Sequence, residues 1–121
     1  MEREELRLMA QDCNVQGEIL LRAGKAEEAI KKFDRAIELC PVLAESYKNY
    51  GDLHMFRKEY QEAKNSYRKA LLAERSGLLY FLYGNACFLN DEPYEGLENY
   101  NRAVCEGYDN AEMMFPDNPS Y

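Results

Sequence analysis

The strongest constraint on this chain is a spacing that recurs three times. Gly17, Gly51 and Gly84 stand 34 and 33 residues apart, and each is followed by the same residue types at the same distances. Twelve residues on lie Ala29, Ala63 and Gly96; sixteen on, Phe33, Tyr67 and Tyr100; nineteen on, Ala36, Ala70 and Ala103. Glu28, Glu62 and Glu95 precede the first small residue, and Arg35, Lys69 and Arg102 precede the second. Self-similarity near 34 residues, with small and aromatic residues at fixed offsets, signals a solenoid of stacked helix pairs. Each pair buries its core against a neighbour and the stack presents a continuous surface. The search for function therefore becomes a search for a groove.

Elementary packing explains the residue types. A glycine inside a helix costs about 1 kcal/mol relative to alanine, so it needs a reason, and close approach of a partner helix supplies one. Ala29 and Ala36 lie seven apart, two turns along one helical face, and Phe33 sits between them to fill the space they leave.

A coarse pass predicts six main helices: about 4–23, 26–39, 44–57, 60–74, 78–89 and 93–106. Gly24-Lys25 turns the chain after the first, and Pro41 stops the second. Ser76-Gly77 reads as a left-handed cap on the fourth helix. Pro93 suits the first turn of the sixth, which ends near Glu106-Gly107. Residues 109–115 read like the start of another leading helix, and 116–121 as a Pro-rich disordered tail. Met113-Met114-Phe115 need a place to bury. They either fold back as a short partial cap or are the stump of a longer solenoid.

Composition narrows the classes. At 121 residues the chain is one domain, and no run of about 18 apolar residues exists to cross a membrane. Met-Glu-Arg-Glu-Glu has no apolar stretch behind it, so no secretory signal is expected and a cytoplasmic location is. Residues 1–75 balance fourteen Lys/Arg against fourteen Asp/Glu, whereas 76–121 hold only Arg102 against eight acids, so the net charge of −7 lies in the last third. Nucleic acid and anionic membrane need basic surface, so neither is an expected partner. The acidic end either keeps an apolar terminus soluble or meets a basic or amphipathic partner.

Catalytic and metal chemistry find no foothold. Cys13, Cys40, Cys87 and Cys105 form no Cys-x-x-Cys pair, and Cys13 and Cys87 fall at core-type offsets. The single histidine, His54, takes the place of Leu20 and Cys87 in the other copies, a core or half-core position. Glycine-rich phosphate loops are absent. No cofactor, metal or enzymatic activity is expected. The last four residues, Asn118-Pro119-Ser120-Tyr121, fit an Asn-Pro-x-Tyr turn, and Pro in the middle excludes them as a glycosylation acceptor.

These repeats resemble the tetratricopeptide family. The first copy carries Gly17, Leu20, Ala29, Phe33, Ala36 and Pro41; the second, Tyr47, Tyr50-Gly51, Ala63, Tyr67 and Ala70; the third, Tyr80, Tyr83-Gly84, Tyr100 and Ala103. Arg75 in place of Pro and Gly96 in place of Ala depart from the pattern without breaking its spacing. The resemblance implies an all-α, right-handed superhelical solenoid of three helix-turn-helix pairs, with an extended first helix and a short C-terminal helical stump. One domain over 1–108 would hold repeats at about 10–43, 44–76 and 77–108, with 109–121 as partial cap and tail.

The resemblance further implies a non-catalytic protein-interaction module whose concave face, lined by the leading helix of each pair, reads a peptide or helical segment. The matching positions are Gln11, Asn14, Glu18 and Arg22, then Glu45, Lys48, Asp52, Met55 and Phe56, then Leu78, Phe81, Asn85, Phe88 and Leu89, with Asn49 beside them. Of these, Asn14, Glu18, Lys48, Asn49, Asp52, Met55, Phe56, Phe81, Asn85 and Phe88 form the expected partner site. Phe81 and Phe88 serve either as anchors or as surface buried against a next repeat. The co-chaperone members grip a C-terminal carboxylate with Lys, Asn, Asn, Lys and Arg, where this chain has Asn14, Glu18, Asn49, Leu78 and Leu82. Only Asn49 fits and Glu18 would repel a carboxylate, so a protein segment of apolar or basic character is the expected partner. The alternatives are weak self-assembly through the apolar C-terminal end, or a regulatory fragment of a larger protein.

Overall fold

The computed structural model describes residues 1–108. Its helices are α1 (Arg3–Arg22), α2 (Ala26–Leu39), α3 (Ala44–Phe56), α4 (Tyr60–Ala73), α5 (Gly77–Leu89) and α6 (Pro93–Cys105), and no strand occurs among the described residues. α1 pairs with α2, α3 with α4 and α5 with α6, and α4 lies against α5 to join the second pair to the third. The predicted six-helix solenoid is therefore the observed architecture. The expectations for 109–121, including the apolar Met113–Phe115, lie outside the described residues.

The spacing of the glycines has a direct cause. A Cβ on Gly17 would lie 2.4 Å from the Phe33 ring, one on Gly51 2.3 Å from Tyr67, and one on Gly84 2.5 Å from Tyr100. Each trailing helix thus lays its offset-sixteen ring on bare leading-helix backbone, and Phe33 and Tyr67 end up 0% and 1% exposed. Burying rings of this size stabilises the fold by roughly 1.5–3 kcal/mol each. The departure at Gly96 has the same logic. Phe88 follows Gly84 by four residues, and a Cβ on Gly96 would lie 2.5 Å from its ring. The third pair keeps its trailing ring, adds a second ring on the leading helix and has a methyl fewer on the trailing one.

The turns inside the pairs repeat as closely. Gly24, Lys58 and Asp91 each adopt positive φ, at 79°, 61° and 61°. Each next residue donates its N–H back across the turn: Lys25 to Leu20, Glu59 to His54 and Glu92 to Cys87, at 2.9, 2.8 and 2.9 Å. These are left-handed helix caps of the Schellman type. Ser76-Gly77 is not such a cap: Gly77 opens α5, and the Ser76 hydroxyl accepts the Leu79 N–H at 3.4 Å. A serine side chain able to take an orphan N–H wins over the glycine signal there. α4 instead ends with Glu74 in extended backbone.

Candidate functional site

The leading helices α1, α3 and α5 line a surface with two adjoining clefts. The first, about 270 Å³, takes Glu18 from α1, Ala44, Glu45 and Lys48 from α3, and Leu78 and Leu79 from α5, with Glu74 and Ser76 from the connection before α5. The second, about 240 Å³, takes Glu18, Leu21 and Arg22 from α1 and Lys48, Asn49, Asp52 and Phe56 from α3. Glu18 and Lys48 belong to both, so the two are parts of one trough.

Glu18, Lys48, Asn49, Asp52 and Phe56 are thus brought together. Lys48 Nζ holds Asp52 at 2.8 Å, one turn along α3. Phe56 is 63% exposed and is the aromatic ring available at this surface. Asn49 lines the second cleft but is buried, and its Nδ2, closed to solvent, has no hydrogen-bond partner among the described residues.

Five expected residues have other work. Asn14 is fully buried, its Nδ2 donating to Ser46 Oγ at 3.0 Å to tie α1 to α3. Met55 packs against the central core. Phe81 stacks on Tyr100 and Tyr108, with ring centroids 5.7 and 4.8 Å away. Phe88 packs on Tyr100, with centroids 5.0 Å apart, and over Gly96. Asn85 accepts a hydrogen bond from the Tyr100 hydroxyl. The aromatic anchors expected in the third repeat therefore pack on Tyr100 and Tyr108, with Phe88 also lying over Gly96 of α6. Glu45, Arg22 and Leu78 share the leading-helix positions the pattern identifies, whereas Leu21, Ala44, Leu79, Glu74 and Ser76 escaped it. The last two sit in a connection that carries no helical periodicity.

Charge in the first cleft is one-sided. Burial, and then the neighbouring Glu18, push the Glu45 carboxyl above the usual carboxylate range, and Lys48 pulls it back only in part. Glu18 makes no hydrogen bond or ion pair with any described residue.

Elsewhere the titratable groups are structural. The Cys87 thiol is pushed up to about 12 by burial and by Glu95, so it stays protonated and inert. Burial, with Asp52 beside it, raises the Tyr67 hydroxyl far above the ordinary tyrosine range. His54 is half-buried, stacked on Tyr50 at 6.2 Å and 2.9 Å from Glu59, as a half-core position requires. Among the described residues no group of three His, Cys, Asp or Glu is placed to hold a metal, and no helix is long and apolar enough to cross a membrane.

Comparison with known proteins agrees with this geometry. Solved structures include the first repeat domain of Spaghetti (RPAP3) bound to the HSP90 peptide SRMEEVD, at TM-score 0.82 and 20% identity, covering 91% of this chain and 90% of that one. YrrB, described as having an unusual peptide-binding site, matches at TM-score 0.71 and 27% identity over 82% of this chain and 53% of that one. Small glutamine-rich tetratricopeptide repeat-containing protein 2 of Saccharomyces cerevisiae is 31% identical over 108 residues, or 88% of this chain. This chain spans only 31% of that relative's length. Residues 10–41 and 44–76, more than half of the chain, match models described as tetratricopeptide repeat. With three glycine-on-ring helix pairs built on that repeat, the chain belongs to the tetratricopeptide-repeat family.

Proposed function

We propose that this chain is a non-catalytic protein-interaction module that holds an extended segment of a partner in the concave trough of α1, α3 and α5. The observation that carries the reading is Asn49, which lines an open cleft and whose buried amide nitrogen has no partner among the described residues. Leaving such a donor unmade costs about 1–3 kcal/mol, which a ligand carbonyl would recover once the amide turns toward the cleft. Beside it, exposed Phe56 supplies an aromatic surface and the Lys48–Asp52 pair a fixed polar edge. Chains of similar fold are described with bound peptides, among them the Spaghetti domain.

The test is selection from a random peptide display library against the immobilised chain, followed by ¹⁵N chemical-shift mapping of the enriched peptides. Shifts should centre on Lys48, Asn49, Asp52 and Phe56. Asn49→Ala and Phe56→Ala should each weaken binding about tenfold with the helical signal unchanged. Shifts confined to α2, α4 and α6 would move the site off the trough.

A further inference from the structure

Resting on that reading, we propose that the trough is a receptor for a basic segment, in which Glu18, Glu45 and Glu74 take up a lysine or arginine side chain while Asn49 holds the adjoining backbone carbonyl.

The first support is a break in the repeat. In the second pair the residue after the glycine, Asp52, accepts the hydroxyl of Tyr67 at 2.6 Å. In the third, Asn85 accepts the hydroxyl of Tyr100. The first pair places Phe33 at that offset, with no hydroxyl to give, so Glu18 is left without the partner its two counterparts have. It lines both clefts instead.

The second support is the charge balance of the first cleft. Glu18 comes from α1, Glu45 from α3 and Glu74 from the connection after α4, and among the described residues Lys48 is the only cation on its wall. Lys48 is engaged with Asp52 at 2.8 Å, and Arg75, next to Glu74, reaches away to Glu106 at 2.8 Å. Burial raises the Glu45 carboxyl, Glu18 raises it further, and Lys48 offsets the two only in part. Ala44, Leu78 and Leu79 supply apolar walls along which the methylene stem of a lysine or arginine can lie while its head meets the carboxylates.

Asn49 adds an independent indication. It is 1% exposed, lines the part of the trough joined to this cleft through Glu18 and Lys48, and carries a buried donor that has no acceptor among the described residues. A peptide offers a carbonyl oxygen for Asn49 and a cation for Glu18, which neither Arg22 nor Lys48 pairs among the described residues. An acidic C-terminus offers the carbonyl only together with charge that Glu18 and Glu45 repel.

Display selection, run in parallel on four forms of the chain, tests this. Peptides enriched by the native chain should be rich in Lys and Arg relative to the input library. The Glu18→Gln/Glu45→Gln variant should still enrich peptides but lose that bias. Glu4→Gln/Glu28→Gln, the same charge change at exposed positions outside the clefts, should keep it. Asn49→Ala should weaken enrichment whatever the peptide charge. Measured by fluorescence anisotropy, a Lys-containing enriched peptide should bind the Glu18→Gln/Glu45→Gln variant about tenfold more weakly, since a hydrogen bond to a charged group is worth at least that. Replacing its Lys by Gln should cost the same on the native chain and nothing on the variant. Neutral or acidic peptides enriched by the native chain, and lost in Asn49→Ala, would overturn the charge preference and leave the trough standing. Equal loss of bias in both Gln variants would reduce it to net charge and overturn it too. No enrichment by any form would take the trough, and this proposal with it.

Discussion

The seam between the first and second repeats and the seam between the second and third use the same positions with opposite chemistry. At the second seam Lys64, its side chain 4% exposed, holds Glu92 at 2.7 Å and Glu95 at 3.2 Å. At the first seam the position thirteen after the glycine is Ile30, packed with Leu20, Leu21 and Tyr50 around Phe33 and Leu53. The tyrosine before each glycine shows the same inversion. Tyr50 donates to Asp34, whereas Tyr83 accepts from Arg68 at 2.8 Å and passes its own hydrogen to Glu95 at 2.7 Å. One repeat geometry thus tolerates an apolar joint and a buried ionic one. The difference teaches that the repeat pattern specifies backbone approach, while each seam is closed by whatever chemistry its two faces can satisfy.

The largest expected effect breaks the second seam. Glu92→Ala/Glu95→Ala would leave the Lys64 ammonium buried without a counter-ion. Stranding a buried charge costs several kcal/mol, and here about 3, the low end, because the two carboxylates it loses are partly open to water. Urea unfolding should report it. A loss under 1 kcal/mol would mean Lys64 swings out to solvent and the seam is not ionic. The pH dependence has a definite sign. Lys64 and Asn90 hold the Glu92 carboxyl below its usual range, so its contribution is present above that range and fades as the solution is acidified. Its two carboxylates raise the Lys64 ammonium against the pull of burial, so that contribution is complete below the usual lysine range and is lost as the solution becomes strongly alkaline. The acid limb should flatten in Glu92→Gln.

Next in size is the glycine contact, which both halves of the molecule share. Gly51→Ala drives a methyl into the Tyr67 ring, which is 1% exposed and anchored to Asp52. Overpacking of this kind costs about 1–3 kcal/mol, and Ala63→Leu on the facing helix should cost as much. Gly96→Ala should cost less, because the ring it meets is Phe88, 39% exposed and able to shift outward. Equal losses at Gly51 and Gly96 would show that exposure does not set the cost.

How much of this was legible beforehand follows from what each residue depends on. The glycines, the offset-sixteen rings and the turn positions act within one helix pair, so their spacing gave away the helices to within a residue or two. Glu18, Lys48, Asp52 and Phe56 line the cleft between α1 and α3, as their leading-helix positions predict. Phe81 and Phe88 pack on rings of the third pair, a direction no leading-helix position predicts because it depends on a second helix. Gly96, the one place where the repeat lacks its alanine, was the available sign that a ring would turn that way. The meaning of Phe33 against Tyr67 and Tyr100 needed coordinates, since nothing in a spacing says that the hydroxyl meets the residue after the glycine.

Phe33→Tyr should make the first pair like the other two. A hydroxyl there extends from a ring already seated on Gly17 toward Glu18, as Tyr67 reaches Asp52. A satisfied hydrogen bond adds about 1 kcal/mol. The same bond occupies Glu18, so basic-peptide affinity should fall while stability rises. A destabilised variant would mean the hydroxyl finds no acceptor and that the missing bond is not what frees Glu18.

The smallest effect lies at the first seam, where charge does appear, between Arg57 and Glu27 at 2.5 Å. The contact is short, but Glu27 is 83% exposed, so water screens the attraction and two long side chains must be ordered to make it. Such pairs contribute about 0.2–1 kcal/mol, against the roughly threefold or greater cost expected at Lys64. A double-mutant cycle with Arg57→Ala and Glu27→Ala isolates the coupling from whatever each side chain does alone. Added salt should shrink it further, since exposed charges are screened and buried ones are not. A coupling above about 2 kcal/mol that survives salt would put an ionic lock at both seams. Ile30 and Lys64 would then be interchangeable decorations on one kind of joint rather than two solutions to closing it.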